Sequence, residues 1–149
     1  MHPPRRGITP RPLEDDWFDD LRGVFLVIGS SVLLVSAALF FAPLEVNTVW
    51  LWTLTPLTAR ITSSWYVFMA LLFILTALTT RRPDEVLLPT IMLGFWSALL
   101  LTLPILHASQ TRSGLEVVGW QLVHGALLIV SLVAGARAWT QLRLEQRVW

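Results

Sequence analysis

No cysteine occurs anywhere in the 149-residue chain. Disulfides, iron–sulfur clusters and thiolate metal sites are therefore excluded, and cysteine usage gives no clue to redox compartment. Lysine is absent as well, so all eleven basic residues are arginine; we read this as coding bias rather than a demand for guanidinium chemistry. Charge is scarce overall. Asp, Glu and Arg make up 14% of the chain, against about 25% in an average soluble domain. The charges are clumped, and long stretches carry none. No HExxH, GxSxG, P-loop or glycine-rich dinucleotide turn is present, so the chain carries none of these metalloprotease, hydrolase or nucleotide-binding signatures.

What is present is apolar: 54% of residues are hydrophobic. A helix crossing a bilayer needs roughly 20 mainly apolar residues, and four segments qualify: 22–42, 56–80 (apolar from Ile61), 84–107 and 115–138. None holds an acid or arginine near its centre. The sequence thus predicts an all-α, integral membrane, antiparallel four-helix bundle over residues 22–138. A polar acidic tail precedes it at 1–21, and a short basic tail follows at 139–149. The first apolar run lies behind a tail with five acids and lacks a small-residue cleavage site, so it reads as a retained span and not a cleaved signal.

Arginine placement sets the expected orientation. Nine arginines (5, 6, 11, 22, 81, 82, 137, 143 and 147) fall on one side, and two, Arg60 and Arg112, on the other. The excess marks the cytoplasmic face, so both termini and the 81–85 turn are expected inside a bacterial inner membrane. Tryptophans agree. Trp17, Trp139 and Trp149 fall near one edge, and Trp50, Trp52, Trp65 and Trp120 near the other. Only Trp96 lies deep. In the 81–85 turn, Pro83-Asp84-Glu85 is expected to open the third helix, with acids at its positive end.

The most distinctive segment is Trp50-Leu-Trp-Thr-Leu-Thr-Pro-Leu-Thr-Ala-Arg60. Thr55 is an N-cap type, and Pro56 suits the first helical position. Trp50 and Trp52 can lie at headgroup level. Arg60, about one turn into the helix, can snorkel to a lipid phosphate or pair with Glu45 or Glu116. These three residues form a candidate lipid or anion site beside the plainer reading of helix start and interface anchor. The segment resembles one found in an uncharacterised group of small bacterial membrane proteins, in which Trp-x-Trp-x-Leu-Thr-Pro-Leu-x-Ala-Arg opens a transmembrane helix, closely followed by a tryptophan (here Trp65). That group often has proline between the two tryptophans, where this chain has Leu51. The resemblance covers the first outer loop and second span. It implies a multi-span membrane protein and no activity.

His124 is the second candidate. It lies about nine residues into the fourth span, roughly 13 Å deep at 1.5 Å per residue, and an ionisable group at such depth raises a functional hypothesis. Gln121, His124, Leu128, Ser131 and Gly135 share one small, polar face expected to point into the bundle. Neutral imidazole there could ligate haem iron or chlorin magnesium, or hydrogen-bond a quinone, with Gln121 beside it. The plainer reading is a hydrogen bond to a Ser or Thr of another span. His107 ends the third span near the surface, too far in depth to share one haem with His124.

Small-xxx-small pairs, Gly94/Ala98, Ser131/Gly135 and Ala134/Ala138, predict close helix contacts within the chain or with a partner. Pro104 is expected to loosen the last turn of the third span. In the tail, Leu13, Trp17 and Leu21 recur every four residues, as on a short interfacial helix. No catalytic residue, metal site or nucleic-acid partner is expected. Three functions fit: a non-catalytic structural or accessory subunit of a membrane complex, the one the sequence favours; a haem, chlorin or quinone binder using His124; and a lipid or amphiphile binder using Arg60, Trp50 and Trp52.

The missing cysteine makes the orientation easy to test. A membrane-impermeant maleimide is expected to label Ser109→Cys in intact cells and Asp84→Cys only after permeabilisation. The reverse pattern inverts the topology.

Overall fold

A computed structural model describes residues 16–112 and 114–145. Among them are five α-helices: α1 (Asp16–Phe41), α2 (Pro43–Val49), α3 (Pro56–Thr79), α4 (Leu87–Leu106) and α5 (Leu115–Glu145), with a 3-10 turn at Pro83–Val86. No strand occurs among the described residues, only an isolated bridge between Trp52 and Thr111. Helices α1, α3, α4 and α5 are long and apolar enough to cross a membrane. Leu34, Phe41, Phe95 and Ile105 are among many large apolar side chains on the exterior, the surface that a hydrocarbon solvent would cover.

The long helices associate as two pairs, α1 with α3 and α4 with α5. In the first pair, Phe25 stacks on Phe73 with centroids 5.8 Å apart. Arg22 Nε, near the start of α1, donates to the Ala77 carbonyl near the end of α3 at 2.8 Å. Further along, two serines clasp reciprocally. Ser36 Oγ donates to the Ser63 carbonyl at 2.9 Å, and Ser63 Oγ to the Ser36 carbonyl at 3.0 Å. Gly29 lets these helices approach, since a Cβ there would lie 2.7 Å from Ile74 Cγ1 and 3.0 Å from the Ala70 carbonyl oxygen. In the second pair, a Cβ on Gly94 would lie 2.3 Å from Ser131 Oγ, and that hydroxyl donates to the Thr90 carbonyl at 2.8 Å. The small-residue faces at Gly94 and Ser131 are thus occupied by the chain's own helices.

Four boundaries differ from the sequence expectation, each for a local reason. Helix α1 begins at Asp16, so Trp17 and Leu21 belong to a helix continuous with the first span, not to a separate interfacial one; Leu13 lies outside the described residues. Leu21 is buried, and Trp17 packs against the core that holds Phe25, so the four-residue stripe is the inner face of α1. Helix α5 runs past 138 to Glu145, and Arg143 lies over the Trp139 ring at 5.2 Å, a pair one turn apart.

Helix α4 starts at Leu87 instead of Asp84. Pro89 then falls in the first turn, where its missing N–H costs nothing; a start at Asp84 would put it deeper, against the ladder. The preceding turn is closed by Glu85, whose carboxylate accepts from the backbone N–H groups of Arg81 (2.9 Å) and Arg82 (3.3 Å). Those two bonds, Arg81's first, hold the carboxyl below the usual glutamate range. The stretch from 43 to 55, expected to be loop, contains α2, with Pro43 at its start and Glu45 in its first turn. Thr55 caps α3 as expected, its hydroxyl accepting from Thr58 N at 3.2 Å.

Gly29→Ala is expected to destabilise the protein in detergent by about 1–3 kcal/mol, because backbone of α3 cannot move aside. Gly125→Ala, whose Cβ would meet nothing within 4 Å, is expected to stay within about 0.5 kcal/mol of wild type. Thermal unfolding followed by circular dichroism distinguishes them; equal midpoints would contradict the close approach.

Candidate functional site

The site begins with a proline. Pro104 lies inside α4 and cannot supply the N–H that the Leu100 carbonyl would normally accept one turn back. The indole of Trp120 fills the vacancy, Nε1 donating to the Leu100 carbonyl at 2.8 Å. One residue on, the Gln121 amide donates to the Leu101 carbonyl at 3.2 Å. One side chain of α5 thereby repairs the backbone of α4 and a second adds a bond to it, and Trp120 is held in one orientation.

His124 follows one turn later. Its Nδ1 lies 2.9 Å from the Trp120 carbonyl oxygen. A carbonyl only accepts, so Nδ1 carries the proton, and in the neutral ring Nε2 is left with a lone pair. No hydrogen bond reaches Nε2 among the described residues. The bond expected to a Ser or Thr of another helix is thus replaced by one within α5. His124 as a residue is 5% exposed. It lies against Trp120, centroids 4.2 Å apart, and edge-on to Trp96 at 6.2 Å.

Around it stands a run of aromatic rings. Trp96 meets Tyr66 at 5.4 Å, Tyr66 meets Trp50 at 6.0 Å, and Trp50 meets Trp120 at 5.6 Å. Trp52 closes the cluster against Trp50 (5.8 Å) and Trp120 (5.5 Å). These contacts are edge-to-face, the favoured arrangement for quadrupolar rings. The cluster draws on α3, α4, α5 and the 50–52 segment, and it joins the two helix pairs.

Beside the cluster runs a groove of about 630 Å³, within the range of roughly 300–1,000 Å³ usual for small-molecule sites. One wall is α1, with Val27, Ile28 and Val35. The other is α5, with Gly119, Val123, His124 and Leu127. Tyr66 and Trp96 line it, and Glu116 stands at one end. A Cβ on Gly119 would meet nothing within 4 Å, so that wall is open.

Val49, Trp50 and Leu51 also line the groove, and this segment is fastened by Arg112. The guanidinium donates to the carbonyls of Thr48 and Asn47, the second at 2.6 Å, and the backbone N–H to the Leu51 carbonyl at 2.8 Å. Asn47 Oδ1 in turn accepts from Leu54 N at 2.7 Å. Gly114, with φ of 124°, supplies the left-handed turn that brings the chain from Arg112 into α5, a conformation glycine adopts at little cost.

The structure therefore brings three of the sequence candidates together and sets two apart. Trp50 and Trp52 share one cluster with His124. Trp50 is buried, not laid out at a surface, because the Arg112 clasp folds its segment inward. Gln121 bonds to α4 and does not line the groove. Arg60 is exposed, with its guanidinium 6.0 Å from the Phe40 centroid; among the described residues it forms no ion pair with Glu45 or Glu116. Tyr66 and the inward role of Trp120 escaped the sequence reading. Trp120 carried a signal all the same, being one turn from His124 on the same helix. Comparison with protein-family models, curated proteins and solved structures gives no match.

Trp120→Phe leaves the Leu100 carbonyl without its partner and is expected to cost about 1–3 kcal/mol. In a Pro104→Ala background, residue 104 regains an N–H for that carbonyl, so the same substitution is expected to cost less by about 1 kcal/mol or more. A double-mutant cycle on unfolding free energies measures the coupling; additive effects would contradict the proline repair.

Proposed function

We propose that the protein is a non-catalytic membrane protein that holds a ring-bearing apolar ligand in the groove between α1 and α5, with His124 as its polar contact. The observation that carries this reading is the 2.9 Å contact between His124 Nδ1 and the Trp120 carbonyl oxygen. An imidazole whose Nδ1–H is committed to the Trp120 carbonyl presents an unpartnered Nε2 lone pair on the wall of an apolar, aromatic groove. An acceptor that faces an apolar groove with no protein partner loses the hydrogen bonds water would give it, and a ligand supplies one. The aromatic walls suit a flat, unsaturated ring. The open side between the two helix pairs suits entry from the lipid.

The haem, chlorin and quinone classes are the ones whose chemistry meets an imidazole lone pair. Membrane lipids are the surrounding partners. The accessory-subunit alternative drew on small-residue faces for a partner, and those at Gly29, Gly94 and Ser131 are filled by the chain itself, so the geometry favours ligand holding over partner docking. The arrangement proposed is an antiparallel four-span bundle in the bacterial inner membrane, with both termini and the 81–85 turn in the cytoplasm. The nine arginines on that side support it.

The test is composition of the purified protein. Organic extracts of wild type are expected to be enriched in a ring-bearing amphiphile, or the protein to absorb as a tetrapyrrole complex, and His124→Ala is expected to lower occupancy about 3- to 10-fold, the worth of one hydrogen bond. A colourless protein whose extract matches bulk membrane lipid, unchanged by His124→Ala, would defeat the proposal.

A further inference from the structure

Resting on the groove reading above, we infer that the ligand is a lipid-soluble ring bearing a hydroxyl, of which a quinol is the type, and that the site prefers this reduced form to the corresponding quinone. The inference comes from counting donors and acceptors. A neutral imidazole has one N–H, and the Trp120 carbonyl, 2.9 Å from Nδ1, takes it. Nε2 can then only accept. A quinol offers O–H to that lone pair. A quinone offers carbonyl oxygens alone, which would set lone pair against lone pair and leave both unsatisfied.

The other polar groups of the wall do not reverse this preference. Trp50 carries a donor, but its Nε1 is fully buried; the Trp96 indole N–H and the Ser31 hydroxyl also stand on the wall, and a quinol oxygen accepts from them as a quinone oxygen does, so they serve either form. The Tyr66 hydroxyl both donates and accepts, so it serves either redox form and discriminates between neither. Glu116 also lines the groove, but eight residues before His124 it lies about 12 Å away along α5, out of reach of a ring held at the imidazole. The polar group that discriminates is therefore the imidazole acceptor, while the apolar walls of Val27, Val35 and Val123 leave room for a hydrocarbon tail to pass sideways at Gly119.

A site built to accept a hydroxyl proton rejects the analogue without it far more strongly than an apolar pocket rejects a shape change. Titrations of the intact protein in nanodiscs, followed by quenching of the tryptophan cluster, use a short-tailed benzoquinone and, under anaerobic conditions, the same compound reduced to its quinol. The quinol is expected to bind about tenfold or more tighter than the quinone, a ratio that would raise the midpoint potential of the bound two-electron couple by about 30 mV. His124→Gln, whose amide both donates and accepts, is expected to bring the ratio to about one while its circular dichroism and elution volume stay those of wild type. Should the variant misfold, the wild-type ratio alone decides. Equal binding, or tighter binding of the quinone, would overturn the redox preference and leave the groove reading intact. A wild-type protein that instead carries a tetrapyrrole absorption band would overturn the quinol assignment. Binding of neither compound, with no absorbing cofactor present, would bring down the groove reading and this inference together.

Discussion

Polar groups away from water need partners within the protein, and that requirement organises this molecule. Long helices satisfy most backbone groups internally. Most of what remains is settled side chain by side chain, with Trp50 Nε1 and Ser97 Oγ left buried without a partner among the described residues. Ser36 and Ser63 exchange hydrogen bonds across α1 and α3. Ser131 reaches the Thr90 carbonyl, and Trp120 and Gln121 reach the carbonyls of Leu100 and Leu101. These bonds set the register within each helix pair. Between the pairs there is little of the kind, and large aromatic rings do the joining. A groove remains where α1 and α5 do not close on one another.

The outer loops are held by the same logic. Arginine is the residue best able to satisfy several carbonyls at once, and Arg112 takes the carbonyls at the end of α2 while its own N–H goes to Leu51. A charge counted at first only for orientation proves to be a structural clasp. It fixes the 50–52 segment, and with it the inward placement of Trp50. Arg60, the other arginine on that side, makes no comparable set of bonds and lies against Phe40.

Much of the fold was legible because hydrophobic length is a strong signal. The four long helices follow from four apolar runs, and the Thr55–Pro56 start of α3 follows from capping chemistry. Boundaries slipped where tertiary contact overrides composition. The acidic residues around Trp17 masked a helix whose inner stripe continues to Phe25, and Pro89 moved the start of α4 by its need for the first turn. Of the site, His124 stood out by depth and Trp50 and Trp52 by their motif, yet nothing in the spacing said they would meet. That meeting depends on a loop folding inward under a clasp 60 residues downstream, which is a three-dimensional fact. Tyr66 gave no signal because one tyrosine in an apolar run is unremarkable as sequence.

The proline in α4 and the chemistry of the groove are linked by a continuous chain of bonds. Pro104 frees the Leu100 carbonyl, that carbonyl fixes the Trp120 indole, and the Trp120 backbone carbonyl takes the Nδ1 proton of His124. Each step is forced by what the preceding group can donate or accept. Replacing Pro104 need not touch the groove to change it: an N–H restored at residue 104 competes with the indole for Leu100, and an indole released from that bond no longer holds its ring against the imidazole. A missing hydrogen on the neighbouring helix thus sets where the indole lies beside the imidazole, while the acceptor character of Nε2 follows from the Trp120 backbone carbonyl. The same dependence explains why a ring cluster, rather than a further helix contact, joins the pairs at this level. Trp120 is already turned toward α4 by its bond, and Trp50 and Trp52 pack against its ring.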